Sequence, residues 1–262
     1  MMNDVILFVS GIIQGLTEFL PVSSSGHLVV FQTLFSFKAP KVAIELILHS
    51  ATLLSVFYLF KKRIWSIIRS MLAFKKDDDF RMGMNIIIGN IPTAIIGFTF
   101  KDFFASLFNS GSFPVAIALL FTGSMLLFTE KIKKGEKDIN IVTSIIIGIA
   151  QGLAIIPGIS RSGSTIFIAL ARGVKPEKAF EYSFLLSIPA IMGATILELK
   201  DIDLSMIHPV KIIPAFLAAF FSGIFALKLL KNSIRQGKLY LFGVYCIVIA
   251  VALIIYTRFL NA

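Results

Sequence analysis

Six apolar runs, near residues 42–60, 85–103, 113–130, 178–197, 212–230 and 239–258, constrain this chain more than any other feature. Each approaches the ~20 residues with which a helix crosses ~30 Å of bilayer hydrocarbon. Hydrocarbon offers no partner to peptide groups, so such runs have to be helices. With 56% hydrophobic and only 15% charged residues among 262, the chain has too little polar surface for a soluble enzyme. The single Cys246 lies inside the last run, where it reads as a packing residue, and neither a disulfide nor a cysteine metal site is available. A net charge of +10 does not indicate nucleic acid, because the lysines and arginines fall in short loops between apolar runs. The start, "MMNDVILFVSG", has no basic n-region or small-residue cleavage site and is expected to stay in the working protein.

The loops set an orientation. "KKRIWSIIRSMLAFKKDDDFR" (61–81), "KIKKGEKD" (131–138) and "KLLKNSIRQGK" (228–238) are basic, whereas "KDFFASLFNSGS" (101–112) and "ELKDIDLSMIHPVK" (198–211) are mixed or acidic. Basic loops stay cytoplasmic, so both termini are expected to face outward. "KKDDD" reads as a solvated loop, Trp65 as an interfacial anchor, and His208 as an exposed outer-loop residue.

Two more apolar stretches, 5–37 and 141–172, are interrupted by Pro, Gly and Ser. Broken helices survive at membrane depth only where protein buries them or a wet cavity adjoins them, so both are expected to be re-entrant hairpins. They also repeat one another. "QGLTEFLPVSSSGHL" (14–28) over "QGLAIIPGISRSGST" (151–165) matches without gaps at Gln, Gly, Leu, two Ser and Gly, and three spans follow each hairpin. The expected fold is therefore an all-α polytopic membrane protein: six transmembrane helices plus two re-entrant helical hairpins. It forms one integral membrane domain of two inverted repeats, about 1–135 and 136–262. An odd number of spans per half inverts the second, so that the hairpin tips meet near the midplane.

The tips carry the chemistry. Serines after each break suit the N-cap of the next half-helix, whose free N–H groups and positive dipole end attract an anion; two such ends make a phosphate cradle. Arg161, in the second tip, is too costly to leave unpaired in lipid and is expected to hold an anionic ligand or a carboxylate, with phosphate or diphosphate fitting its planar fork. In the first tip Ser24 and His27 stand three apart, within reach on one helical turn, so the imidazole is expected to take the hydroxyl proton or act on the same phosphate. Glu18, four residues after Gln14, is a candidate to hold a divalent cation against phosphate oxygens. Glu45 and His49, also four apart in the first span, and Glu181 are either outer supports of this site or polar packing residues.

"QGLTEFLPVSSSGH" and "PGISRSG", with the length and the duplication, resemble the undecaprenyl-diphosphatase family linked to bacitracin resistance. The resemblance covers essentially the whole chain. It implies a membrane phosphatase that removes the terminal phosphate of undecaprenyl diphosphate and regenerates the monophosphate carrier for cell-wall synthesis. It implies dependence on Mg2+ or Ca2+, a place in the bacterial inner membrane, and a site open to the outer face. By motif position the metal-binding pair falls on Glu18 and Gln14, the serine and histidine motif on Ser23, Ser24, Ser25 and His27, and the second motif on Ser160, Arg161, Ser162 and Thr165. The pattern accepts Gln or Glu at position 14, and Gln here argues against two metals.

The mechanism expected on these grounds has Ser24 attack the terminal phosphorus with His27 as general base, and water release the phosphoserine; attack by water or by His27 is the variant. Arg161, the half-helix N-termini and the cation would stabilise the transferring group. The expected partners are the polyprenyl diphosphate and membrane lipids, with a homodimer left open and no nucleic acid. A flippase or transporter of a polyprenyl phosphate lipid is the alternative, since it too wants inverted repeats and a charged midplane site. A membrane scaffold without activity fits poorly with Glu18 and Arg161 at the tips.

Overall fold

The computed structural model describes residues 4–35, 42–108, 111–198 and 209–260. These are helical almost throughout, and His208 lies outside them. Short half-helices α1 (Asp4–Phe19) and α2 (Ser24–Phe35) precede α3 (Val42–Leu72), α4 (Asp78–Thr99), the short α5 (Lys101–Phe108) and α6 (Ser112–Leu127). The second half runs α7 (Ile141–Leu153), α8 (Arg161–Ala171), α9 (Pro176–Glu198), α10 (Pro209–Gln236) and α11 (Tyr240–Ile255). Among the described residues six helices, α3, α4, α6, α9, α10 and α11, are long and apolar enough to cross a bilayer, as expected.

The two expected breaks are present: α1 stops at Phe19 and α7 at Leu153, each followed by a turn and a new short helix. The halves then pack crosswise. Half-helix α1 lies along α10 of the other half, α7 lies along α4, and the last helices of the halves, α6 and α11, pair with one another. Spacing of small residues makes this possible. At Gly11 an added Cβ would meet the Ala215 carbonyl at 2.2 Å, and at Gly148, the equivalent position in the second half, the Gly89 carbonyl at 1.9 Å. Lipid tails are as apolar as Leu, so helices gain little by hiding apolar side chains from them; close backbone approach is what makes such contacts favourable. Large apolar residues on the outer faces, such as Phe221 and Val248, are correspondingly exposed toward where the tails would lie.

Two of the expected loops are largely helix. Helix α3 continues through Lys61, Lys62, Arg63 and Arg69 to Leu72, and α10 continues to Gln236. Long cationic side chains are good helix formers and carry their charge past the hydrocarbon edge on flexible stems, so charge alone does not end a helix. The "KKDDD" segment is likewise more than a solvated loop: Asp77 caps α4 by accepting from the Phe80 N–H at 2.9 Å, and Asp78 and Asp79 fill its first turn. Arg63 pairs with both Asp79 and Glu181, tying α3, α4 and α9 together at this end. Glu181 is thus a packing residue.

Candidate active site

The two breaks are built to one local plan. Ser23 Oγ accepts from the Gly26 N–H at 3.2 Å and Ser160 Oγ from the Gly163 N–H at 3.1 Å, so each serine caps the half-helix that follows. Each also meets the hydroxyl two residues on, Ser25 or Ser162, at 3.3 Å. These are the serines that the gapless superposition aligned. The tips differ in backbone: Ser23 has φ 67°, a left-handed conformation uncommon outside glycine, whereas in the second tip that role falls to Gly158 at φ 97°. A strained serine that persists needs its surroundings to hold it. Here the Ser23 carbonyl accepts from both the His27 N–H at 3.1 Å and His27 Nδ1 at 2.9 Å.

Between the tips lies a cavity of about 310 Å³, bordered by α1, both tips, α3, α4, α7 and α9. Glu18 is its centre. One carboxylate oxygen accepts from Arg161 Nη2 at 2.8 Å; the other accepts from the Ser24 hydroxyl at 2.9 Å and Gln14 Nε2 at 3.2 Å, and His49 Nε2 stands 3.5 Å away. The Glu18 side chain is 8% exposed and that of Arg161 16%. The guanidinium also lies 5.9 Å from the centre of the Phe184 ring, within cation–π range. Its second terminal nitrogen, Nη1, is buried with no hydrogen-bond partner among the described residues. A buried charged donor left unmet is costly, and the arginine that carries it borders a cavity large enough for a phosphoryl group.

Glu18, Ser24, Arg161 and His49 therefore come together, with Gln14 beside them. The expected Ser24–His27 pairing does not form. Nδ1–H of His27 donates to the Ser23 carbonyl and Nε2 accepts the Tyr245 hydroxyl at 2.7 Å, so both ring nitrogens are engaged, and Ser24 turns to Glu18 instead. Three-residue spacing puts two side chains on one face of a helix, but other elements choose which of them meet. Ser23, Ser25 and Ser160 border the cavity; Ser162 and Thr165 do not. Their hydroxyls serve packing, Ser162 toward the Leu20 carbonyl at 3.4 Å and Thr165 toward Ser183 at 2.6 Å. Glu45 supplies its backbone carbonyl to His49 Nδ1 at 2.8 Å.

Four polar residues at or beside this site escaped the sequence reasoning. Gln151 was visible as the counterpart of Gln14, and Asn90 and Thr93 as polar groups within an apolar span. Tyr245 carried no signal, since its partner lies 218 residues away.

As a cation site the residues suit only part of a coordination shell. No group of three or more His, Cys, Asp or Glu that would hold a metal occurs among the described residues. Among the described residues, Glu18 is the one carboxylate bordering the cavity. This suits Mg2+ or Ca2+ bound largely through substrate phosphates, the way Mg2+ is commonly held.

The fold and the site define a polytopic helical membrane protein with a polar cavity between two broken helices, in which a serine hydroxyl, a carboxylate and a guanidinium converge. The chain belongs to the bacitracin resistance protein BacA family, which it matches over residues 7–252. It is 44% identical over 251 residues to an undecaprenyl-diphosphatase of Halothermothrix orenii, covering 94% of this chain and 95% of that one. Similar relatives of the same name occur in Carboxydothermus hydrogenoformans, 42% identical with 97% of each chain covered, and in Methanococcus vannielii, 43% identical with 94% and 97% covered.

Proposed function

We infer that this protein hydrolyses undecaprenyl diphosphate to undecaprenyl phosphate and inorganic phosphate, recycling the lipid carrier for cell-wall synthesis and so conferring resistance to bacitracin. The observation that carries the reading is the free Nη1 of Arg161 beside the Glu18–Ser24 pair, a buried cationic donor next to a hydroxyl already hydrogen-bonded to a carboxylate. A flippase needs the anion site but not the activated hydroxyl, and the relatives' shared name favours hydrolysis.

In the mechanism this geometry supports, the polyprenyl tail stays among the helices while the diphosphate enters between the tips. Arg161 Nη1 holds a phosphoryl oxygen. Ser24 Oγ attacks the terminal phosphorus, its proton passing to Glu18 Oε2, 2.9 Å away, and undecaprenyl phosphate departs. Water then releases phosphate from Ser24. Glu18 is thus the base, and His27 holds the Ser23 backbone in the turn that presents Ser24. A Mg2+ or Ca2+ ion carried on the diphosphate would rest against the oxygens of Glu18 and Gln14 and neutralise phosphate charge. The two halves act as inverted repeats that bring their tips to the midplane. Their basic loops keep one end cytoplasmic, so the termini and the site face outward from the bacterial inner membrane.

Phosphate release from undecaprenyl diphosphate by purified protein in detergent, with and without Mg2+, tests the reading. Cation-dependent release that disappears in Arg161→Ala is expected. Well-folded protein that binds the lipid and releases nothing would overturn hydrolysis.

A further inference from the structure

Gln151, in the last turn of α7, is 3% exposed and borders the same cavity as Glu18, Ser24 and Arg161. Its amide orientation follows from its neighbours. Asn90 Nδ2 donates to the Ile86 carbonyl at 2.9 Å and the Leu186 carbonyl at 3.1 Å, which uses both its hydrogens and leaves Oδ1 as an acceptor. Thr93 spends its one hydrogen on the Gly148 carbonyl at 2.8 Å, so its oxygen too can only accept. Gln151 faces both acceptors, at 3.4 Å from Asn90 Oδ1 and 3.2 Å from Thr93 Oγ1, and the atom it presents must be Nε2. A flipped amide would set oxygen against two oxygens.

Oε1 is therefore held on the side away from Asn90 and Thr93, and it is buried with no hydrogen-bond partner among the described residues. It is an acceptor, so a deprotonated phosphate oxygen cannot satisfy it; that anion matches Arg161 Nη1, the donor that is also unmet. What Oε1 lacks is a hydrogen-bond donor, and water supplies one.

We propose that Gln151, aimed by Asn90 and Thr93, holds through Oε1 the water molecule that hydrolyses the phosphoserine on Ser24. The proposal rests on the phosphatase reading and names a positioning residue within it. In the step, the water oxygen forms a bond to phosphorus as the bond from phosphorus to Ser24 Oγ breaks. One water proton reaches Ser24 Oγ by way of Glu18, while the other hydrogen donates to Gln151 Oε1. Gln151 takes no proton, and the products are inorganic phosphate and the free serine.

The test separates the two half-reactions by rapid quench with undecaprenyl diphosphate and Mg2+. In Gln151→Met, which keeps the volume and removes the acceptor, a stoichiometric burst of undecaprenyl phosphate should persist. Phosphate release should fall about 100-fold, the cost of a misplaced reactant, and phosphoserine at Ser24 should accumulate for detection by mass spectrometry. A residue that merely supports the fold would slow both half-reactions alike, and that outcome, or unchanged phosphate release, overturns the proposal. Should Gln151→Met not fold, Thr93→Val, which removes one of the two acceptors that aim the amide, must show the same accumulation in smaller amount or the proposal fails. Absence of phosphate release from the wild type would instead sink the phosphatase reading itself.

Discussion

Replacing Glu18 by Gln changes a single atom of the carboxylate and removes the charge that Arg161 faces. At 2.8 Å, and with an effective dielectric of about 20, the attraction between the two charges is about 6 kcal/mol, much of it offset by the cost of withdrawing both ions from water. Removing one partner leaves the other ion buried alone. The guanidinium would then face a neutral amide oxygen and the Phe184 ring in place of a countercharge, with Nη1 still unmet among the described residues. The expected loss of stability is about 3–5 kcal/mol. Activity should fall at least as far, by about 10²–10⁴, because the same carboxylate orients Ser24 and takes its proton. The double variant Glu18→Gln, Arg161→Gln removes both charges. It should regain at least about 2 kcal/mol over the single variant while remaining inactive, a coupling of the size seen for residues in contact. Unfolding of the micelle-embedded protein by SDS titration, run beside phosphate release, reads both quantities. Additive losses in the double variant, or a Glu18→Gln protein as stable as wild type, would refute the ion-pair argument.

Ser24→Ala should lower phosphate release by at least about 1,000-fold while lipid binding persists, and near-normal turnover would remove Ser24 as nucleophile. His27→Asn keeps an amide donor where Nδ1–H meets the Ser23 carbonyl, so turnover should stay within about 10-fold of wild type while His27→Ala loses much more; equal losses in the two would restore the imidazole as the base. Gly148→Val places side-chain atoms where a Cβ alone would meet the Gly89 carbonyl at 1.9 Å, and should destabilise the α4–α7 pair by about 3 kcal/mol, seen as a lowered melting temperature in detergent. Chelation of divalent cations should abolish turnover and added Mg2+ should restore it; full activity in the chelator would exclude a cation carried by the substrate.

Elements were legible in the sequence where local physics suffices. Runs of about 20 apolar residues have one solution in lipid, and the six spans lie close to where those runs predict them. The two interrupted stretches announced their breaks through Pro, Gly and Ser, and the capping roles of Ser23 and Ser160 followed from their place after each break. Glu18 and Arg161 stood out because charge at membrane depth is costly without a use.

Partnership between residues far apart in the chain was decided only by the tertiary structure. Crosswise packing of the halves brings Arg161 to Glu18, 143 positions earlier, and Tyr245 to His27, 218 positions earlier. That second contact takes the histidine away from Ser24, which the helical spacing alone had paired with it. Gln151 acquires its orientation from Asn90 and Thr93 on another helix, whose hydrogens are committed to backbone carbonyls of α4, α7 and α9. Periodicity tells which residues share a face, because it is a property of one helix. Which donor finds which acceptor depends on every other group competing for the same hydrogens, and that competition exists only once the helices have packed.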